Sequence, residues 1–99
     1  MRLLLLAGTS EARHIAFALS RESYLSVTVS LARPDSRPQN YGWPVRIGGW
    51  GGEDAFRAYL EREGVEGIID ATHPFASVIS HRAAGLAREI DIPYVQFLR

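Results

Sequence analysis

The sequence predicts an α/β domain built on an open, parallel, five-stranded sheet with helices on both faces. Three observations carry that expectation. Strand-like apolar runs alternate with amphipathic stretches along the whole chain. The first run, Leu3-Leu4-Leu5-Leu6, is apolar without interruption, as in a strand buried on both sides. Glycine or proline marks most of the junctions between them. Ninety-nine residues suffice for one hydrophobic core, so residues 1–99 are read as a single domain.

Taken in order, the first strand runs from Arg2 to Ala7 and Gly8 breaks it. Thr9 or Ser10 suits the N-cap of the helix that follows, and Glu11 complements the dipole of its first turn. Ala12, Ile15, Ala16 and Leu19 recur at i, i+3, i+4 and i+7, which predicts an apolar stripe ending near Arg21 to Ser23. His14 lies in this helix and reads as a surface or internally satisfied histidine. Leu25 to Ala32 is the second strand, with β-branched and small residues alternating in Val27-Thr28-Val29-Ser30. Arg33 to Asn40 is dense in turn formers and predicts a loop at the carboxyl end of that strand. Val45-Arg46-Ile47 is a short third strand. It leads into Gly48-Gly49-Trp50-Gly51-Gly52, where four glycines around one Trp suit a flexible connection and a close ligand approach equally well.

The second helix is predicted over Glu53 to Glu63, with acids at its amino end, Ala55, Phe56, Tyr59 and Leu60 on its apolar side, and Gly64 as its terminator. Val65 to Asp70 is the fourth strand. The third helix starts at Pro74 or Phe75, since proline lacks an N–H that a first helical position leaves unpaired anyway, and ends about Glu89. Asp91-Ile92-Pro93 closes it and Tyr94 to Leu98 is the fifth strand. Right-handed crossovers then give the order 3-2-1-4-5. In that order the turn Gly8-Thr9-Ser10 and the segment Asp70 to Phe75 face one crevice, although they are some sixty residues apart.

Composition removes several functions. The formal net charge is zero, which provides no field for nucleic acid or an anionic membrane. No apolar run approaches the ~20 residues of a membrane span, and the run after Arg2 is too short for a signal-peptide core. A cytoplasmic location is expected. All eleven basic residues are Arg, so Schiff-base chemistry and the lysine of a P-loop are absent. There is no Cys for a disulfide, thiol nucleophile or thiolate metal site. No G-x-S-x-G elbow occurs, His14, His73 and His81 do not form H-E-x-x-H, and no metal is expected. Nucleotide-dependent redox chemistry or simple nucleotide binding remains.

Two segments fit that chemistry. Gly8-Thr9-Ser10-Glu11-Ala12-Arg13 is a strand-to-helix turn whose N–H groups and helix dipole suit a phosphate, although the second and third glycines of G-x-G-x-x-G are missing. After the second strand stand Ser30, Arg33 and Arg37, with no acid at the strand end. Arginine there suits a 2′-phosphate where an acid would bind ribose hydroxyls, which favours NADP over NAD. The same arginines are equally consistent with a solvated loop.

Together, Gly8 to Arg13, Ser30-Leu31-Ala32, Val45 to Gly52 and Asp70-Ala71-Thr72-His73-Pro74-Phe75-Ala76 resemble the precorrin-6A reductase family in order and spacing, over essentially the whole chain. The last motif is highly specific, the glycine block moderately so and the first turn weakly so. The resemblance implies a Rossmann-like, NADP-binding domain of an NADPH-dependent enzyme of cobalamin biosynthesis. That enzyme reduces a corrin-ring double bond of precorrin-6A to give precorrin-6B, or acts on the cobalt-containing counterpart. Its tetrapyrrole lies between two such domains, of which this chain matches the amino-terminal one. A C-terminal domain, entered through Pro-x-Trp after the position of Arg99, is therefore the expected missing partner.

The resemblance also implies site residues. Backbone N–H groups from Gly8, Thr9 and Ser10 would hold the pyrophosphate, and Arg33 or Arg37 the 2′-phosphate. Thr72 and His73 would lie near the nicotinamide, with Glu11, Ser30, Gly49 and Ala71 completing the cofactor-binding set. His73 is the candidate catalytic group, since imidazole can donate a proton. Pairing of Thr72 and His73 with N–H groups at a helix start is the plainer alternative. Three positions depart from the family pattern: Ala7 stands for the first glycine of Gly-Gly-Thr, Arg33-Pro34 for Gly-Arg, and Arg82 for an Asn. Two other readings stay open: a nucleotide-binding module with no catalysis on its own, and an NADP-dependent reductase of a small carbonyl compound. The second lacks the expected Tyr and Lys pair.

Overall fold

Alternate side chains of a strand point to opposite faces of a sheet, and in β1 (Arg2–Leu6) both faces are apolar. The computed structural model describes residues 1–34, 40–73 and 76–97. After β1 come α1 (Ser10–Leu19), β2 (Ser26–Leu31), β3 (Val45–Ile47), α2 (Glu53–Arg62), β4 (Gly67–Asp70), α3 (Ser77–Glu89) and β5 (Tyr94–Gln96). Every strand pairing is parallel and the sheet order is β3-β2-β1-β4-β5, as expected from the crossover rule.

Leu5, with Val27, Val29 and Leu31 of β2, packs against Ala12 and Ala16 of α1. Leu4 and Leu6, with Ile68 of β4, meet Phe56 and Leu60 of α2 and Ala83 and Leu86 of α3 on the other face. Leu4 and Leu5 are fully buried, which contributes roughly 1.5–3 kcal/mol for each side chain. Arg57 ties the two helices of the second face together, donating to Asp54 Oδ1 at 2.7 Å and to Glu89 Oε1 at 3.0 Å.

Element ends differ from the sequence expectation in ways that backbone bonding explains. β1 stops at Leu6, although the Ala7 N–H still bonds the Ser30 carbonyl at 2.9 Å. α1 stops at Leu19, where the Ser20 hydroxyl donates to the Phe17 carbonyl at 2.6 Å. β4 begins at Gly67 because Val65 belongs to the turn that ends α2. There Gly64 has φ 62° and the Val65 N–H reaches back to the Leu60 carbonyl at 3.0 Å, a Schellman arrangement. Asp91, with φ 61°, ends α3 in the same way, and the Ile92 N–H bonds the Ala87 carbonyl at 2.9 Å. α3 begins at Ser77, later than Pro74 or Phe75. Those two residues, Leu98 and loop positions 35–39 with Arg37 lie outside the described residues. Among the described residues no helix is long and apolar enough to cross a membrane.

Candidate functional site

Sheet register brings distant residues into one row. Arg46 pairs with Ser30, Ser30 with Leu6, and Leu6 with Asp70, all at the carboxyl ends of their strands. In-register neighbours point the same way, and Leu6 faces α2 and α3, so the whole row does. Above it opens a cleft of about 380 Å³. Gly8, Ser30, Arg33, Gly49, Thr72 and His73 all line it. These are six of the residues that the sequence marks for a cofactor.

Asp70 organises one wall. The residue is only 1% exposed, and Oδ1 accepts from the Thr72 N–H at 3.0 Å and the Thr72 hydroxyl at 2.7 Å. Oδ2 accepts from the Tyr94 phenol, and Thr72 Oγ1 lies 3.2 Å from Ser80 Oγ on α3. Burial pushes the Asp70 carboxyl up, but hydrogen bonds from Ser80, Tyr94 and Thr72 outweigh it and hold the group below its ordinary 3.8. Burial and the hydrogen bond to Asp70 push the Tyr94 phenol above its ordinary 10.0. An ionised acceptor and a protonated donor therefore meet near neutral pH. The carboxylate fixes the backbone at Thr72, and the turn presents the exposed His73 beside Gly8, with the His73 carbonyl accepting from the Ala76 N–H at 2.8 Å.

The glycine block forms the other wall, and it is anchored. Trp50 stacks on Phe56 with ring centroids 4.2 Å apart and planes 4° from parallel, and meets Tyr59 edge-on at 4.7 Å. Arg46 lies over the Trp50 ring, with Cζ 3.7 Å from its centroid, and donates to the carbonyls of Gly48 and Gly49. These contacts pack the segment against α2. Gly48, Gly51 and Gly52 have φ of 121°, 80° and 107°, so their backbone requires glycine. Gly49 has no such φ, and a Cβ there would meet nothing within 4 Å.

The remaining expected site residues sit behind the cleft. Thr9 occupies the N-cap of α1 with extended backbone, yet its hydroxyl does not cap the helix and donates to the Ala71 carbonyl at 2.8 Å. The Ala71 N–H bonds the Leu6 carbonyl, also at 2.8 Å. Ser10 opens α1, with its hydroxyl 3.4 Å from Glu11 Oε2. Thr9, Ser10, Glu11 and Ala71 do not line the cleft. No group of three His, Asp or Glu residues suited to a metal ion occurs among the described residues. Sequence reasoning passed over Asp70, Tyr94 and Arg46 as site residues. An acid ending an apolar strand and an Arg inside a strand of three residues were the available signals.

A parallel sheet in the order 3-2-1-4-5, with its cleft over the strand ends where the order reverses, defines a Rossmann-like domain. The model of the precorrin-6x reductase CbiJ/CobK family matches residues 2–99, and the chain belongs to that family. It is 40% identical over 98 residues to a precorrin-6A reductase of Mycobacterium tuberculosis, an alignment covering 99% of this chain and 39% of the relative. A cobalt-precorrin-6A reductase of Priestia megaterium is 38% identical, covering 98% of this chain and 38% of its own length. The solved structure of a CobK precorrin-6A reductase superposes with a TM-score of 0.91 at 38% identity, over 100% of this chain and 39% of that one. The chain thus spans about 39% of the M. tuberculosis relative.

Proposed function

We propose that this chain is the cofactor-binding part of an NADPH-dependent oxidoreductase of cobalamin biosynthesis, which reduces a ring double bond of precorrin-6A or of its cobalt-containing equivalent to give the 6B product. The observation that carries the reading is the convergence of Gly8, Ser30, Arg33, Gly49, Thr72 and His73 on one cleft. Two of these are glycines that the fold does not require. A Cβ at Gly8 would make only ordinary contacts, 3.6 Å from the His73 nitrogen, and one at Gly49 would make none. Close approach of a ligand gives both a reason to be glycine.

The residues present fit NADPH. Gly8 lines the cleft and leads directly into the amino end of α1, so backbone N–H groups from Gly8 to Ser10 would hold a pyrophosphate, and Ala71 holds Thr9 in place. Arg33, exposed at the cleft edge, suits the 2′-phosphate, and Arg37, outside the described residues, remains the alternative for it. The bound cofactor supplies the hydride. Thr72 and His73 orient the nicotinamide end, and the Asp70 carboxylate holds that turn. Saturating a ring double bond also takes up one proton, and His73 is the side chain in the cleft suited to deliver it. A cytoplasmic location goes with this reading.

The test is nucleotide binding. Arg33→Ala weakens NADPH by about tenfold and leaves NADH unchanged, as loss of a single phosphate contact requires. Equal weakening of both nucleotides overturns the 2′-phosphate assignment. A second reading rests on the 39% span and on a cleft of about 380 Å³, a size that suits part of a dinucleotide. In that reading the chain alone binds NADPH without turnover, and the substrate is enclosed only with the remainder of the longer protein. Sustained reduction of precorrin-6A by the 99-residue chain rejects it.

A further inference from the structure

We propose that Arg46 is a positioning residue of the cleft: it sets Ser30 as a hydrogen-bond donor toward an oxygen of the bound nucleotide and locks the glycine block opposite. The first half rests on the nucleotide-binding reading above, and the second does not. One guanidinium joins β2 to the glycine block. Arg46 Nη1 donates to Ser30 Oγ at 2.9 Å and to the Gly48 carbonyl at 3.0 Å, and Nη2 donates to the Gly49 carbonyl at 3.1 Å. Its plane also covers Trp50, with Cζ 3.7 Å from the ring centroid.

The chemistry of the donor decides what Ser30 can do. A guanidinium has only N–H groups, so in this bond the Ser30 oxygen must accept. The hydroxyl keeps one proton to give. Ser30 is 5% exposed and lines the cleft, and no described residue takes that proton. Ser30 faces an open cleft, so solvent can take that proton, and an oxygen of a bound ligand would take the solvent's place there. Arg46 itself is not part of the cleft wall, so it acts through Ser30 and through the two glycine carbonyls. Lysine cannot reproduce the arrangement, because an ammonium lacks the planar fork that reaches three acceptors while stacking on an indole.

The experiment compares NADPH affinity for the wild-type chain, Ser30→Ala, Arg46→Met, Arg46→Lys and the Ser30→Ala/Arg46→Met double variant, with amide hydrogen exchange over residues 48–52 in the ligand-free protein. Ser30→Ala weakens NADPH by about tenfold, the size of one hydrogen bond, and Arg46→Met by at least as much. The double variant binds no more weakly than Arg46→Met, and Arg46→Lys does not restore affinity. Exchange at the glycine amides rises about tenfold or more in both Arg46 variants and stays at the wild-type rate in Ser30→Ala. Strictly additive losses would show that Arg46 does not act through Ser30. Wild-type affinity or wild-type exchange in Arg46→Lys overturns the fork, and that variant decides the matter if Arg46→Met does not fold. A wild-type chain that fails to bind NADPH removes the nucleotide reading and the Ser30 role with it, while the exchange measurement still tests the lock on the glycine block.

Discussion

The Thr9 hydroxyl donates to the Ala71 carbonyl at 2.8 Å, joining two strand-to-helix turns that lie 62 residues apart in the chain. α1 forgoes a side-chain cap at its N-cap residue, and the two turns are held together instead. Thr9→Val keeps the shape and removes the donor. It should cost about 1 kcal/mol in urea unfolding, the ordinary net value of a hydrogen bond, while Thr9→Ser stays near wild type. A Val variant as stable as wild type would mean that the tie contributes nothing.

Asp70 links stability to pH. Its folded-state pKa lies below the ordinary 3.8, so its contribution is present above that value and is lost as pH falls through the lower folded value. Near neutral pH, Asp70→Asn should lose about 2 kcal/mol, as expected for hydrogen bonds to a charged group. As pH falls below 3.8 toward the lower folded value, the gap between wild type and variant should narrow, because the amide does not titrate. Tyr94 has the opposite sign: its folded pKa is raised, so its contribution is present below 10.0 and is lost as pH rises beyond it. Tyr94→Phe should abolish that alkaline loss. Urea unfolding across the pH range measures both effects.

Gly8→Ala separates fold from function. The new methyl would lie 3.6 Å from the His73 nitrogen and 3.7 Å from Thr72 Cα, which are ordinary contacts. Stability should therefore change by less than about 1 kcal/mol. NADPH affinity should fall by about tenfold or more, because the methyl stands where a phosphate must approach the backbone. Calorimetric titration beside a melting curve checks the pair, and a large drop in melting temperature would count against this account.

Phe56 supports the glycine block from below. It is fully buried and stacked under Trp50 at 4.2 Å. Phe56→Ala should cost about 3–5 kcal/mol, the range for emptying an aromatic core site, with a change in Trp50 fluorescence. Phe56→Leu should cost less and leave the indole partly supported.

How far the sequence could be read depended on how local each feature is. Gly64 was readable as a helix end because the required left-handed φ is a property of one residue. Thr9 was readable as an N-cap residue, but its hydroxyl had two possible partners. The β1–β4 pairing brought the Ala71 carbonyl within reach, and no window around Thr9 contains that information. Asp70 and Tyr94 meet across 24 residues because β5 lies beside β4. The glycine block suits a flexible connection and a ligand contact equally well by its sequence, and the packing of Trp50 on Phe56 of the next helix is a tertiary contact.

From the chain alone came the eight elements, the parallel sheet and its order, since apolar period, turn residues and the handedness of crossovers are short-range rules. The motifs along it carried the family as well. Folding decided which residues meet: the Arg46 and Ser30 side chains, Leu6 and Asp70 as strand partners, and the Thr9 hydroxyl with the Ala71 carbonyl. Those meetings depend on register between strands far apart in sequence, and register is set by how the two helical layers close on the sheet.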